Sequence, residues 1–219
     1  MIIIMLGAPG SGKGTISKLL ASRYEMEHIS TGDMFREEAA SGSELGKELQ
    51  SYMSKGELVP DETVIRILEA RLARPEAEKG VILDGFPRNI AQAEALKEML
   101  AKQGKKVDVA LQLDIPDQDI IYRTTKRIMC SNKECGAIYN LEFKKPKVEG
   151  ICDVCGSSLV QRKDDNEETI KNRLEIYHKN TESLIHYFEK EGILYTVHLR
   201  AEKNVTIEDV EKWMKDIQK

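Results

Sequence analysis

Three groups of residues have types and spacings that could do chemistry. The first is Gly7-Ala8-Pro9-Gly10-Ser11-Gly12-Lys13-Gly14-Thr15. Glycines at these intervals let successive backbone N–H groups point into one concavity, which suits a phosphate. Lys13 would add a point charge at the outer phosphate oxygens, and the Thr15 hydroxyl would sit near Mg²⁺. The second is Asp84-Gly85-Phe86-Pro87-Arg88. It offers a carboxylate for a hydrated Mg²⁺, a turn, and a guanidinium for an anion. The third is Cys130-x₄-Cys135 followed by Cys152-x₂-Cys155, two close pairs separated by sixteen residues. That spacing is a structural zinc signal. Four thiolates close the coordination sphere and leave no position for water, so the metal would hold structure rather than react. Iron is the other metal that such a cage takes.

Each group needs an element to position it. The phosphate loop follows the apolar, β-branched run Ile2 to Leu6 and precedes Ile16-Ser17-Lys18-Leu19-Leu20-Ala21, whose apolar spacing is helical. Strand, glycine loop, helix is the context in which such a loop binds phosphate, with the helix N-terminus adding partial positive charge. Asp84 ends the run Val81-Ile82-Leu83, which reads as a buried central strand. Further strands are expected at Glu27 to Ser30, Val107 to Asp114 and Ile193 to Leu199. Helical faces lie between them, at Val64, Ile65, Leu68 and Leu72 and at Ala93, Leu96, Met99 and Leu100. Alternating strands and helices predict an α/β fold with a parallel five-stranded sheet flanked by helices and ligands at the carboxyl ends of the strands.

Two stretches break the alternation. Residues 30–59 read as two short helices interrupted at Ser41-Gly42-Ser43. They open on Ser30-Thr31-Gly32-Asp33, which taken alone is helix-capping chemistry. Residues 127–163 read as a turn-rich insert holding every cysteine, where metal binding stands in for an apolar core. After it, Asp164-Asp165-Asn166-Glu167-Glu168 reads as ordinary acidic capping of a helix start. Arg123, Arg127, Arg162 and Arg173 could be solvated, but their placement beside a phosphate loop gives them weight. The four histidines, at 28, 178, 186 and 198, cluster with no motif and read as structural or surface residues.

The chain has 219 residues, is 41% hydrophobic and 32% charged, and carries a formal net charge of −4. That length buries one core with room for inserts. An acidic balance without a basic, aromatic-laced patch argues against a nucleic-acid binder. No apolar run has membrane-spanning length, and the apolar start lacks a basic leader, so a cytoplasmic protein with cysteines as thiols or metal ligands is expected.

Taken together, Gly-x-Pro-Gly-x-Gly-Lys-Gly-Thr, Ser-Thr-Gly-Asp-Met-Phe-Arg, Asp-Gly-Phe-Pro-Arg and Arg-Lys-Asp-Asp-Asn resemble the nucleoside monophosphate kinases. With the cysteine insert, the chain is similar to the zinc-containing, long-lid bacterial adenylate kinases over essentially its whole length. The resemblance implies transfer of the terminal phosphoryl group of ATP to AMP, giving two ADP, with Mg²⁺ as cofactor, in a monomer. It implies a phosphate-loop core of residues 1–29, 60–126 and 164–219, an AMP-binding insert of residues 30–59 and a lid of residues 127–163. On matching positions it implies that Gly10, Ser11, Gly12, Lys13, Gly14, Thr15, Arg123, Arg127, Ile138, Tyr139 and Lys203 face ATP. Thr31, Arg36, Glu57, Leu58, Val59, Gly85, Phe86, Pro87, Arg88 and Gln92 would hold AMP. Arg162 and Arg173 would close on the transferring group, with Lys13, Arg88, Arg127 and Asp84 also catalytic. Asp33 and Asp84 would hold Mg²⁺ through water, and Cys130, Cys135, Cys152 and Cys155 would hold zinc.

Three departures stand out. The lid entry reads Lys126-Arg127-Ile128 where Gly-Arg-Arg is usual, the first cysteine pair is spaced by four rather than two, and Ile16 replaces a common Gln. Two other readings remain open at this level. One is a UMP/CMP kinase on the same scaffold, which usually has a short lid without cysteines. The other is a nucleotide-gated switch with little turnover, against which the guanine-reading Asn-Lys-x-Asp is absent.

Overall fold

The structure, a computed structural model, describes residues 1–132, 134–202 and 204–218, with Glu76 described by its backbone alone. Lys203, expected at the ATP site, lies outside the described residues.

The elements run β1 (Ile2–Leu6), α1 (Lys13–Tyr24), β2 (Glu27–Ser30), α2 (Thr31–Ser41), α3 (Glu44–Lys55), α4 (Asp61–Leu72), β3 (Val81–Asp84), α5 (Ile90–Ala101), β4 (Val109–Asp114) and α6 (Asp117–Thr125). There follow β5 (Arg127–Cys130), β6 (Ile138–Asn140), β7 (Leu159–Val160), α7 (Glu167–Ile176), a π-helical turn (Tyr177–Thr181), α8 (Ser183–Lys190), β8 (Leu194–His198) and α9 (Ile207–Ile217).

The five long-range strands form one parallel sheet in the order β2-β3-β1-β4-β8. Strand β1 sits at its centre and all five of its side chains are buried, which is why it reads as a continuous apolar run. Alternation along it feeds two cores. Ile2, Ile4 and Leu6 pack with Leu68, Phe86, Leu96, Leu100 and Phe188 on one face. Ile3 and Met5 pack with Ile16, Leu20, Ile120, Leu174 and Trp213 on the other. The order reverses at β1, between β3 and β4, so the loop after β1 emerges where the sheet opens a crevice at its carboxyl edge.

The predicted strand at 107–114 starts two residues later, at Val109, because Asp108 turns its carboxylate back to accept the Ile2 N–H at 2.6 Å. The first insert is the expected pair of helices. Gly42, at φ 75°, stops α2, and the Ser43 hydroxyl caps α3 by accepting the Gly46 N–H at 2.9 Å. The second insert is more ordered than its turn-rich sequence predicts: β6-β5-β7 form a separate antiparallel sheet.

Candidate active site

The phosphate loop joins β1 to α1. Gly10 and Gly12 have φ of 88° and 101°, where other residues are strained, and Gly12 caps α1. Lys13 folds back over the loop, its ammonium donating to Gly7 O at 2.7 Å and Ala8 O at 2.9 Å. The glycine between Lys13 and Thr15 has a physical reason. A Cβ at Gly14 would lie 3.3 Å from Asp84 Oδ2, so the missing side chain makes room for the carboxylate at the end of β3.

A cavity opens over this loop and reaches three other parts of the chain. From α2 and the segment that follows α3 come Thr31, Asp33, Arg36, Glu57, Leu58 and Val59. From the loop after β3 come Gly85, Pro87 and Arg88, with Gln92 on α5. From the second insert and α7 come Arg127, Ile138, Arg162 and Arg173. A second cavity shares Gly10, Gly12, Thr15, Arg127 and Ile138 with the first and adds Ser11, Arg123 and Tyr139. Of the described residues expected at nucleotide, only Phe86 lines neither cavity. It is 1% exposed and belongs to the sheet core, so its contribution is to anchor the Gly85–Arg88 turn.

The cations crowd one another. Desolvation lowers the Lys13 pKa to about 8, opposed by Asp84 and helped by repulsion from Arg88, Arg173 and Arg127. Burial and then Arg173 bring Arg88 down to about 10. Burial, Arg127 and Arg36 do the same to Arg162. Arg173 is lowered too, first by burial. Such a cluster of partly desolvated positive charge is built for a polyanion.

Hydrogen bonds hold the cluster in place. Arg88 donates from Nε to Gly85 O at 2.8 Å, and its backbone N–H donates to Gln92 Oε1 at 2.7 Å. Gln92, 2% exposed, donates to Asp61 at 2.6 Å, leaving one N–H and one lone pair for a ligand. Asp33 pairs with Arg36 at 2.5 Å; burial opposes its ionisation, but Arg36 and the Ser30 hydroxyl hold the carboxyl below its ordinary value. Ser30 therefore is a helix cap, accepting the Asp33 N–H, at the lip of the cavity.

Two readings from sequence are corrected. Asp164 and Asp165 do not cap α7; Asn166 does, accepting the Thr169 N–H at 2.9 Å. The acids are arginine clamps. Asp165, 2% exposed, takes Arg127 in a two-point bond at 2.8 and 2.5 Å, and Asp164 takes Arg173 at 3.2 Å. His28 is not remote from the motifs: its Nε2 lies 3.5 Å from Asp84 Oδ2. No local pattern could reveal this pair, because β2–β3 pairing, Ser30 opposite Asp84, creates it. Phe143, whose ring lies 5.8 Å from the Arg123 guanidinium, was missed for a similar reason: it stands in a turn with no motif around it.

The altered lid entry causes no distortion. Lys126 has φ −99°, needing no glycine, and pairs with Glu142 at 3.5 Å, while Ile128 packs against the cysteine cluster. In that cluster the ligand atoms of Cys130, Cys135, Cys152 and Cys155 all lie within 4.8 Å of one another. Four sulfurs converging at that spacing fit a tetrahedral metal. Tyr139 is the largest influence drawing the Cys152 thiol down to about 6, whereas burial pushes Cys130 up to about 12. The carboxylate of Asp84, which lines the first cavity with Thr15, likewise fits a hydrated Mg²⁺.

A phosphate loop at the crevice of a parallel sheet, facing arginines from two inserts, defines a nucleotide-dependent phosphotransferase. The comparisons give the family. The adenylate kinase family model matches residues 5–193. An adenylate kinase of Archaeoglobus fulgidus is 52% identical over 197 residues, covering 90% of each chain. That of Caldicellulosiruptor saccharolyticus is 49% identical over 97% of this chain and 98% of its own. That of Clostridium acetobutylicum is 46% identical over 99% of this chain and the whole of its own. The chain belongs to the adenylate kinase family, and is an ATP:AMP phosphotransferase. This decides the acceptor question against the UMP/CMP reading and the activity question against a switch.

Proposed function

We propose a division of labour among the three parts of the chain. Residues 1–29, 60–126 and 164–219 form the core, residues 30–59 receive AMP, and residues 127–163 close over ATP. The observation that carries this is the single cavity in which Lys13, Arg36, Arg88, Arg127, Arg162 and Arg173 converge from all three. The ATP phosphates lie on residues 10–15, with its adenine in the adjoining cavity beside Arg123, Ile138 and Tyr139. AMP lies against Thr31, Arg36, Glu57–Val59, Gly85–Arg88 and Gln92.

No general base is needed. The second pKa of a phosphate monoester is about 6, so the attacking oxygen of AMP is already largely ionised at pH 7. The work is to bring two anions into line and spread charge on the phosphoryl group in transit. Arg88 and Arg36 orient the acceptor, Lys13 holds the outer phosphates, and Arg127, Arg162 and Arg173 gather round the transferring group. Their planar forks each hold two oxygens. Asp84 and Asp33 would hold Mg²⁺ through water, and the ion when bound would neutralise phosphate charge.

Zinc in the cysteine cage would keep the lid rigid. Thiolate ligands also suit a reducing cytoplasm, and no helix among the described residues is long and apolar enough to cross a membrane. One chain carries both nucleotide cavities, which supports a monomer. Calorimetry tests the assignment. With an ATP analogue saturating, AMP should still bind at one further site, and Arg88→Ala should weaken that second step alone. Absence of a second adenylate site would overturn it.

A further inference from the structure

Tyr139 belongs to two sites at once. It lines the second cavity beside the phosphate loop, where Lys144 of the same wall lies 5.8 Å from its ring centroid. Its hydroxyl points the other way, into the cysteines. That oxygen accepts the Asp153 N–H at 2.7 Å and lies 3.5 Å from Cys152 Sγ. With Asp153 filling an acceptor position, the hydroxyl proton is left for the sulfur. The side chain is 5% exposed and pinned in the small cluster with Cys130 and Cys152. It stands on β6 opposite Ile128 of β5, so its backbone cannot shift without moving the sheet that carries Arg127.

We propose that Tyr139 is a positioning residue that ties the metal cage to the donor-nucleotide cavity: its O–H donates to the Cys152 thiolate and orients that ligand, while its ring forms part of the wall against which ATP binds. The proposal rests on the cage and ATP-site readings above. Partners outside a metal's ligand set typically change metal affinity by about 10–100-fold. A residue shared by two sites also couples them, and the coupling is reciprocal. Metal in the cage should therefore tighten ATP-analogue binding, and the analogue should tighten the metal by the same factor.

The test uses the full chain with Co²⁺ and Zn²⁺ as probes, Tyr139→Phe as the variant and Leu159→Ala as a packing control in the same apolar cluster. Wild-type protein should take up one Co²⁺ with the absorption of a tetrahedral thiolate site; failure here overturns the cage reading itself. In Tyr139→Phe, the sulfur-to-cobalt band should move to lower energy, because a thiolate without its hydrogen bond donates more readily. Zinc affinity, measured against a chelator, should fall about 10–100-fold. Leu159→Ala should lower thermal stability without moving the band. A saturating non-hydrolysable ATP analogue should raise zinc affinity in wild type and not in Tyr139→Phe. An unmoved band with unchanged zinc affinity in Tyr139→Phe would overturn the positioning role, and an equal nucleotide effect in both proteins would overturn the coupling.

Discussion

At the scale of single residues, Lys13 and Arg88 are cations held by neutral carbonyls, whereas Arg36, Arg127 and Arg173 are held by the carboxylates of Asp33, Asp165 and Asp164. Arg88 spends its Nε on a neutral carbonyl, so truncating it leaves no charge stranded. Arg88→Ala should cost about 10²–10³ in turnover, the range for one donor of a transition-state clamp. Its melting temperature should stay close to wild type; near-normal turnover in a steady-state assay would remove Arg88 from the mechanism. Arg127 differs, since its loss would leave the buried Asp165 unpaired and damage the fold as well. Lys13 gives a pH prediction. Desolvation holds it near 8, against 10.5 in an unfolded chain. Between those values the unfolded state binds more protons, so the cost of burying this charge is present at neutral pH and fades as pH rises from about 8 to 10.5. Triphosphate binding opposes the shift. Near pH 9, ATP-analogue binding should therefore take up a proton, read by calorimetry in two buffers of different ionisation enthalpy; a buffer-independent heat would contradict it. Legibility at this scale followed how much meaning each residue type carries. Lys13 and Arg88 could be read because glycine spacing and a strand end fix what they face. Asp164 and Asp165 were misread because acids before a helix serve equally as caps or clamps, and only Arg127 and Arg173, distant in sequence, decide between them.

At the scale of elements, the two inserts were legible to different depths. Helices α2 and α3 declare themselves through Ser30, Gly42 and Ser43, all local signals. The lid sheet did not, because strands of three and two residues carry no apolar period and pack on a small cluster built around the cysteines and Tyr139. The helix-ending glycines allow a matched test. Gly42 and Gly56 have nearly the same φ, 75° and 73°. A Cβ on Gly42 would meet nothing within 4 Å, whereas on Gly56 it would lie 2.7 Å from Arg173 Cγ. Both Ala substitutions should destabilise by about 1 kcal/mol through the left-handed backbone. Gly56→Ala should in addition displace Arg173 and slow turnover several-fold, with Gly42→Ala near wild-type rate. Equal rates for the two would mean that the α3–α7 contact does not position Arg173.

At the scale of the whole molecule, closure is opposed by what it accomplishes. It gathers Arg36, Arg88, Arg127, Arg162 and Arg173 around Lys13; burial first, and then repulsion from neighbouring cations, lowers the pKa values of Lys13, Arg88, Arg162 and Arg173. Against that stand polar ties from both inserts and, from the first, the side chains of Phe35, Leu49 and Val59, which join the apolar cluster on one face of the sheet. Lys18 donates to Gly136 O at 3.2 Å, Asn172 donates to Lys55 O, and Arg127 grips Asp165. The core instead rests on two apolar clusters around a fully buried β1. A protein so built should open at its inserts far more readily than at its sheet, and two bound polyanions should reverse the balance by neutralising the cations that resist closure. Closure of both inserts only when both nucleotides are present would also keep water from the phosphoryl group, a role for which the adenylate kinase lid is itself an established example. Amide hydrogen exchange can read this directly. A bridged two-nucleotide inhibitor should strongly protect α2, α3, β5 and β6 while leaving β1 and β4 unchanged, and ATP analogue alone should protect β5 and β6 but not α2 and α3. Uniform protection across sheet and inserts would mean that the molecule tightens as one body, and that its charged cavity does not drive the closure.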